Sequence, residues 1–153
     1  MQPTYDVADF IIADLDAYKS ATPKPGDVVI FRPPLGAIQQ RCGIPSEPGD
    51  GHPCAKPKGG PDTSVQFIKR VVAVQGDQVY IRNNRTFLDG RRQDEPFIKA
   101  STPCDLLCNL PKAITIPPDH YFTLGDNRGE SDDSRNWGPV PLDWIIGKVI
   151  RKA

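Results

Sequence analysis

The chain has 153 residues, and its 19 Lys+Arg balance 19 Asp+Glu for a formal net charge of zero, which leaves no basic footprint for DNA or RNA and excludes nucleic acid as a partner. Seventeen prolines, 13 glycines and short apolar runs argue against a helical protein. They point to a mainly β fold of coiled antiparallel sheets or a partial barrel, with long loops and minimal helix. No run approaches the ~18 apolar residues of a membrane span, and the size suits a single domain over residues 1–153.

In chain order, Phe10-Ile11-Ile12-Ala13 predicts a first strand, and Pro25-Gly26-Asp27 turns the chain into a second, Val28-Val29-Ile30-Phe31, which Pro33-Pro34 ends. Residues 35–63 are rich in Pro, Gly and polar groups and read as a long surface insertion, not as a linker. Phe67 to Val74 is the third strand, broken at Gln75-Gly76-Asp77. Val79 to Arg82 and Thr86 to Leu88 flank a turn at Asn83-Asn84, and Asp89-Gly90 signals a hairpin. A second irregular stretch runs from Pro96 to Lys112. Ala113 to Ile116 and His120 to Leu124 flank a turn at Pro117-Pro118-Asp119, Leu142 to Ile146 reads as one helical turn, and Lys148 to Ile150 is a closing strand.

Three features carry chemistry. Lys69 interrupts the β-branched and aromatic run from Phe67 to Val74. It either snorkels to solvent with Arg70 on the opposite face, or enters an apolar interior where burial drives its pKa far below the usual ~10.4 and makes it a base. The four cysteines fall into local pairs, Cys42 with Cys54 and Cys104 with Cys108, which read as two disulfides in an oxidising compartment. Zinc, with His52 beside Cys54, is the alternative, but no Cys-x-x-Cys knuckle supports it, so no metal is expected. The polar loop from Gly125 to Pro141 is either a solvated acidic loop or an interior network in which Asp133 and Arg135 pair; its acids lack the alternation of a calcium loop.

Three segments together resemble the type I signal peptidases, serine endopeptidases with a Ser/Lys dyad. They are Met1-Gln2-Pro3-Thr4 with Asp9-Phe10-Ile11-Ile12; Gly26 to Phe31 leading to Phe67 to Asp77; and Gly125-Asp126-Asn127-Arg128 with Ser131, Asp133-Ser134-Arg135 and Gly138-Pro139-Val140-Pro141. They occur in the family's order and span nearly the whole chain. The resemblance implies that family's β fold. It casts Lys69 as the general base and Ser131 as the hydroxyl that orients it, with Asp133 and Arg135 as a supporting ion pair. Met1, Tyr5, Phe67 and Ile68 then line shallow pockets for small residues of the Ala-x-Ala type. The implied partners are preprotein signal peptides and, through an upstream anchor, the membrane surface on the extracytoplasmic side; no cofactor is implied.

In the family the nucleophilic serine immediately precedes the methionine of the first box, which here is Met1. The sequence therefore reads as a fragment that starts one residue after its nucleophile and, as written, cleaves nothing. The alternative is a secreted β-domain that binds extended peptides by strand addition without catalysis. A self-cleaving repressor with a Ser/Lys pair fits poorly with zero net charge and paired cysteines.

Overall fold

The computed structural model describes residues 1–39, 54–99 and 109–153. Among the described residues ten strands form two antiparallel sheets: β1 (Ile11–Asp14), β2 (Val28–Phe31), β3 (Phe67–Ala73), β4 (Gln78–Arg82), β5 (Arg85–Leu88), β6 (Arg91–Arg92), β7 (Leu110–Thr115), β8 (His120–Leu124), β9 (Val140–Pro141) and β10 (Ile145–Lys152). The first sheet has the order β1-β10-β2-β3-β8-β9 and the second β6-β5-β4-β7. Among the described residues the sheets do not close into a barrel. Among the described residues helix is confined to one turn of α1 (Ser134–Trp137) and three short 3-10 segments.

Local chemistry accounts for the hairpins. Asn83 and Asn84 both have positive φ (48° and 61°), as do Asp89 and Gly90 (49° and 78°), the conformation of two-residue turns that match strand twist. The sequence reading missed β6 and β9, each two residues long, and the turn of α1. It also placed β7 and β10 too short. β7 begins at Leu110 and contains Pro111, tolerated because β7 is an edge strand. β10 starts at Ile145, directly after a 3-10 turn at Leu142–Trp144, and keeps its charged end because Ile11 and Ile12 pair with Lys152 and Arg151. Tertiary pairing there overrides residue preference.

The two ends of the 35–63 insertion are held together: Pro34 and Pro61 form an isolated bridge, and Leu35 N–H donates to the Gly60 carbonyl at 2.9 Å. Residues 40–53, with Cys42 and His52, and residues 100–108, with Cys104 and Cys108, lie outside the described residues. Cys54 is not a free thiol.

Two apolar clusters stabilise the sheets. One gathers Val29, Phe31, Val71, Tyr121, Trp137 and Val140, with Phe67 against it; the other gathers Val72, Val79, Ile81, Leu110, Phe122 and Leu124. Strand alternation puts Phe67, Lys69 and Val71 on one face of β3, opposite Phe31 and Val29 in register. Lys69 therefore shares the face of the first cluster, and Arg70 points the other way. Ile68 and Val72 also belong to that other face, so Phe67 and Val71 supply the apolar flank of Lys69 on its own strand. Phe122 is fully buried in the second cluster. Phe122→Ala should lower unfolding free energy by about 3–5 kcal/mol in urea titration; a loss below 1 kcal/mol would show that this cluster is not a packed core.

Candidate active site

β8 pairs with β3, with Arg70 opposite Leu124, so the chain leaves β8 at Gly125 directly beside Lys69. The loop that follows returns Ser131 to the lysine, whose Nζ donates to Ser131 Oγ at 2.9 Å. The amine also lies 5.5 Å from the centre of the Phe67 ring. Gly125 makes this approach possible. A Cβ on it would fall 2.1 Å from Ser131 Oγ, 2.6 Å from Ser131 Cβ and 3.5 Å from Lys69 Nζ. The first two distances are far inside van der Waals contact, so any side chain at 125 must separate the pair.

Burial lowers the Lys69 pKa from its ordinary value, and the charges of Asp133, Asp132 and Asp126 oppose the shift only in part. Asp133 is fully buried and is engaged elsewhere. Arg135 donates to both of its carboxylate oxygens at 2.8 Å, and the Gly125 N–H donates to it at 3.1 Å. Burial pushes the Asp133 pKa up, but the Arg135 charge and hydrogen bonds outweigh this and hold the carboxyl below the usual carboxylate range. Asp133 also caps α1, completing a reciprocal capping box with Asn136. Arg135 Nη2 reaches the Ser131 carbonyl at 3.2 Å, so the ion pair fixes Ser131 as well as the helix turn.

Two further ion pairs, one partly buried and one buried, fasten the loop, and sequence reading missed both. Arg70 binds Asp126 through Nε at 2.9 Å and Nη2 at 2.7 Å, while the Thr4 hydroxyl donates to the same carboxylate. This contact joins the first box, β3 and the loop. Arg128 donates from Nε to the Gly125 carbonyl at 3.1 Å and from Nη2 to Glu95 at 2.6 Å. Glu95 in turn accepts from the Thr86 N–H and hydroxyl on β5. The available signal was the presence of two more arginines near the lysine and the loop, but their partners are 56 and 33 residues away.

A cavity of about 250 Å³ opens over Lys69 and Ser131, with Met1, Tyr5, Ile68 and Asn127 in its wall. Phe67 is not in that wall; it packs beneath, 5.9 Å from the Trp137 ring. A larger cavity of about 710 Å³ lies elsewhere, bounded by Leu15, Tyr18, Leu142 and Ile146, and includes neither Lys69 nor Ser131. Among the described residues no group of three or more His, Cys, Asp or Glu side chains is arranged to hold a metal, and no helix is long and apolar enough to cross a membrane.

Residues 1–152 match the family described as signal peptidase, peptidase S26. The chain belongs to that family. It is 31% identical over 150 residues to thylakoidal processing peptidase 1, chloroplastic, of Arabidopsis thaliana, covering 98% of this chain and 38% of that protein. It is also 31% identical over 150 residues to signal peptidase I of Leptolyngbya laminosa, covering 98% of this chain and 62% of the relative. The chain thus spans less than two thirds of the length of each of these two curated relatives. A crystal structure of a signal peptidase I from Enterococcus faecalis aligns with a TM-score of 0.53 at 20% identity, over 85% of this chain and 98% of that one, and shows the signal peptidase fold.

In this member of the family, the Gly125 contact is the tightest constraint at the site. Gly125→Ala should cost about 1–3 kcal/mol of stability through overpacking and should alter the Lys69 titration followed by side-chain nitrogen NMR. An unchanged titration would mean that Ser131 and Lys69 need not be held together by this approach.

Proposed function

We propose that the chain is the catalytic domain of a signal peptidase I-like serine endopeptidase in which Lys69 is the general base. The observation that carries this reading is a lysine amine brought to 2.9 Å from the Ser131 hydroxyl on an apolar strand face, with burial favouring its neutral form. A neutral amine accepts a proton, and an ammonium does not. The nucleophile is a serine immediately before Met1. Met1 lines the same cavity as Lys69, so a residue joined to its nitrogen enters the site at the right end.

In this mechanism Lys69 Nζ takes the serine hydroxyl proton as the oxygen attacks the scissile carbonyl. The resulting ammonium protonates the leaving amine, and water then hydrolyses the acyl-enzyme by the same proton route. Ser131 keeps the amine aimed, and Asp133 with Arg135 holds Ser131 without joining the reaction. The small cavity suits short side chains, in keeping with cleavage after Ala-x-Ala in preprotein signal peptides. Residues 1–153 work as one extracytoplasmic domain, brought to the bilayer by an upstream anchor, with 35–63 as an insertion stapled by Cys42 and Cys54 and a second bridge between Cys104 and Cys108.

In the chain carrying the upstream serine, Lys69→Ala should reduce preprotein cleavage by about 10²–10⁴-fold. Because burial depresses the lysine pKa, its base form grows as pH rises through that depressed value. The rate of the parent enzyme should climb with pH on the acid limb and level off above it. Unchanged cleavage in Lys69→Ala, or a rate that falls as pH rises through that region, would remove Lys69 as the base. Mass analysis of the non-reduced chain should find two disulfides with the pairing above; four free thiols would overturn both the staple and the oxidising compartment.

A further inference from the structure

Ser131 meets the condition that turns a hydroxyl into a nucleophile, a base within hydrogen-bond reach. Its Oγ lies 2.9 Å from Lys69 Nζ, and burial favours the neutral form of that amine. Among the described residues no other serine has such a partner: Ser64 donates to Asp62, Ser134 accepts from the Thr123 N–H in the interior, and Ser20 stands exposed. The hydroxyl is also held in place. Arg135 fixes the Ser131 carbonyl at 3.2 Å, and the close approach over Gly125 keeps the side chain against the lysine. The pair is open to a small ligand as well, since Ser131 is only half-buried and both residues line the cavity of about 250 Å³.

We propose that Ser131 is itself an acylation site, which takes the acyl group of small activated esters without any upstream serine. In this step Ser131 Oγ bonds to the ester carbonyl carbon as its proton passes to Lys69 Nζ. The tetrahedral centre then collapses, the bond to the aryl oxygen breaks, and the aryloxide leaves with the electron pair. The products are an acyl ester on Ser131, a free aryloxide and an ammonium on Lys69. The surroundings set the substrate class. Cleaving an amide calls for donors preorganised at the developing oxyanion, and beside this pair the Gly125 N–H is committed to Asp133 and Asn127 Nδ2 to Glu130. An aryloxide departs as an anion and needs no proton, so activated esters react where peptides do not. The cavity's size, with Ile68 and Tyr5 in its wall, limits the acyl group to a short chain. The inference rests on the peptidase reading only in taking Lys69 as a base, and it gives the Ser131 hydroxyl a reaction of its own besides aiming the amine.

The test treats the 153-residue chain with p-nitrophenyl acetate, follows release of p-nitrophenolate, and maps the acetyl groups by mass spectrometry of the digested protein. Ser131 should carry an acetyl group that hydroxylamine removes, as it removes an ester and not an amide. Ser131→Ala should lose this adduct, and Lys69→Ala should form it about 10²–10⁴-fold more slowly. Ser20→Ala, at an exposed serine, should form it as the parent does. Because the label is located in the parent chain, misfolding of a variant would not obscure the result. Acetyl on Lys69 or Tyr5 in place of Ser131, no hydroxylamine-labile label at Ser131, or an ester formed equally fast in Lys69→Ala would overturn the proposal. Lys69-dependent preprotein cleavage by the chain carrying the upstream serine, without an ester at Ser131 in the 153-residue chain, would sink this inference and leave the peptidase reading standing.

Discussion

Asp133 lies fully buried within the field of Lys69, and Arg135 takes up its charge through both oxygens. If that carboxylate faced the lysine directly, the pair would be an ordinary salt bridge and the amine would stay an ammonium. With the charge directed to Arg135, the remaining influence of Asp133 on Lys69 is partial, and burial of the amine prevails. The same ion pair caps α1 and holds the Ser131 carbonyl, so the electrostatics of the lysine and the position of its neighbour depend on one contact. Removing either partner would leave an uncompensated buried charge, a change that typically costs about 3–5 kcal/mol.

Much of the architecture is legible in the sequence because it is local. The β-branched runs at Val28 to Phe31 and Phe67 to Val74, together with the Asn83-Asn84 and Asp89-Gly90 turns, announce strands and hairpins through conformational preference alone. The orientation of Lys69 is not local. Alternation says that Lys69 and Arg70 face opposite ways; it takes the register with β2, Val29 against Lys69, to say which of them meets the core. The ends of β7 and β10 were misplaced for a related reason: Pro111 and Arg151-Lys152 are poor strand residues that their partner strands nevertheless hold in place.

The candidate site shows the same division. The lysine, the serine and the Asp133–Arg135 pair lie in segments whose resemblance to the signal peptidases singles them out, and folding brings these groups together. Arg70–Asp126 and Arg128–Glu95 were not foreseen because each joins residues far apart in sequence, and a charged residue in isolation reads as surface. Nor does sequence alone make Gly125 special. Its importance appears only when a Cβ is imagined between the strand and the returning loop.

The second sheet thereby helps to position the candidate site without supplying a side chain to the Lys69–Ser131 contact. Glu95 is held by Thr86 on β5, Arg128 by Glu95, and the Gly125 carbonyl by Arg128; the Gly125 N–H is held from the other side by Asp133. Both polar groups of this peptide unit's glycine are therefore fixed by buried charges, one anchored in each half of the fold. A glycine gives up more backbone freedom than any other residue when it is ordered, and here the close approach of Ser131 to Lys69 forbids a replacement. The ion pairs on either side supply the rigidity that a side chain at this position would otherwise provide. On this argument the buried arginines serve placement more than stability, since apolar residues of similar volume often match or exceed a buried ion pair in stabilising a core but cannot hold a carbonyl and an N–H of one residue in fixed directions.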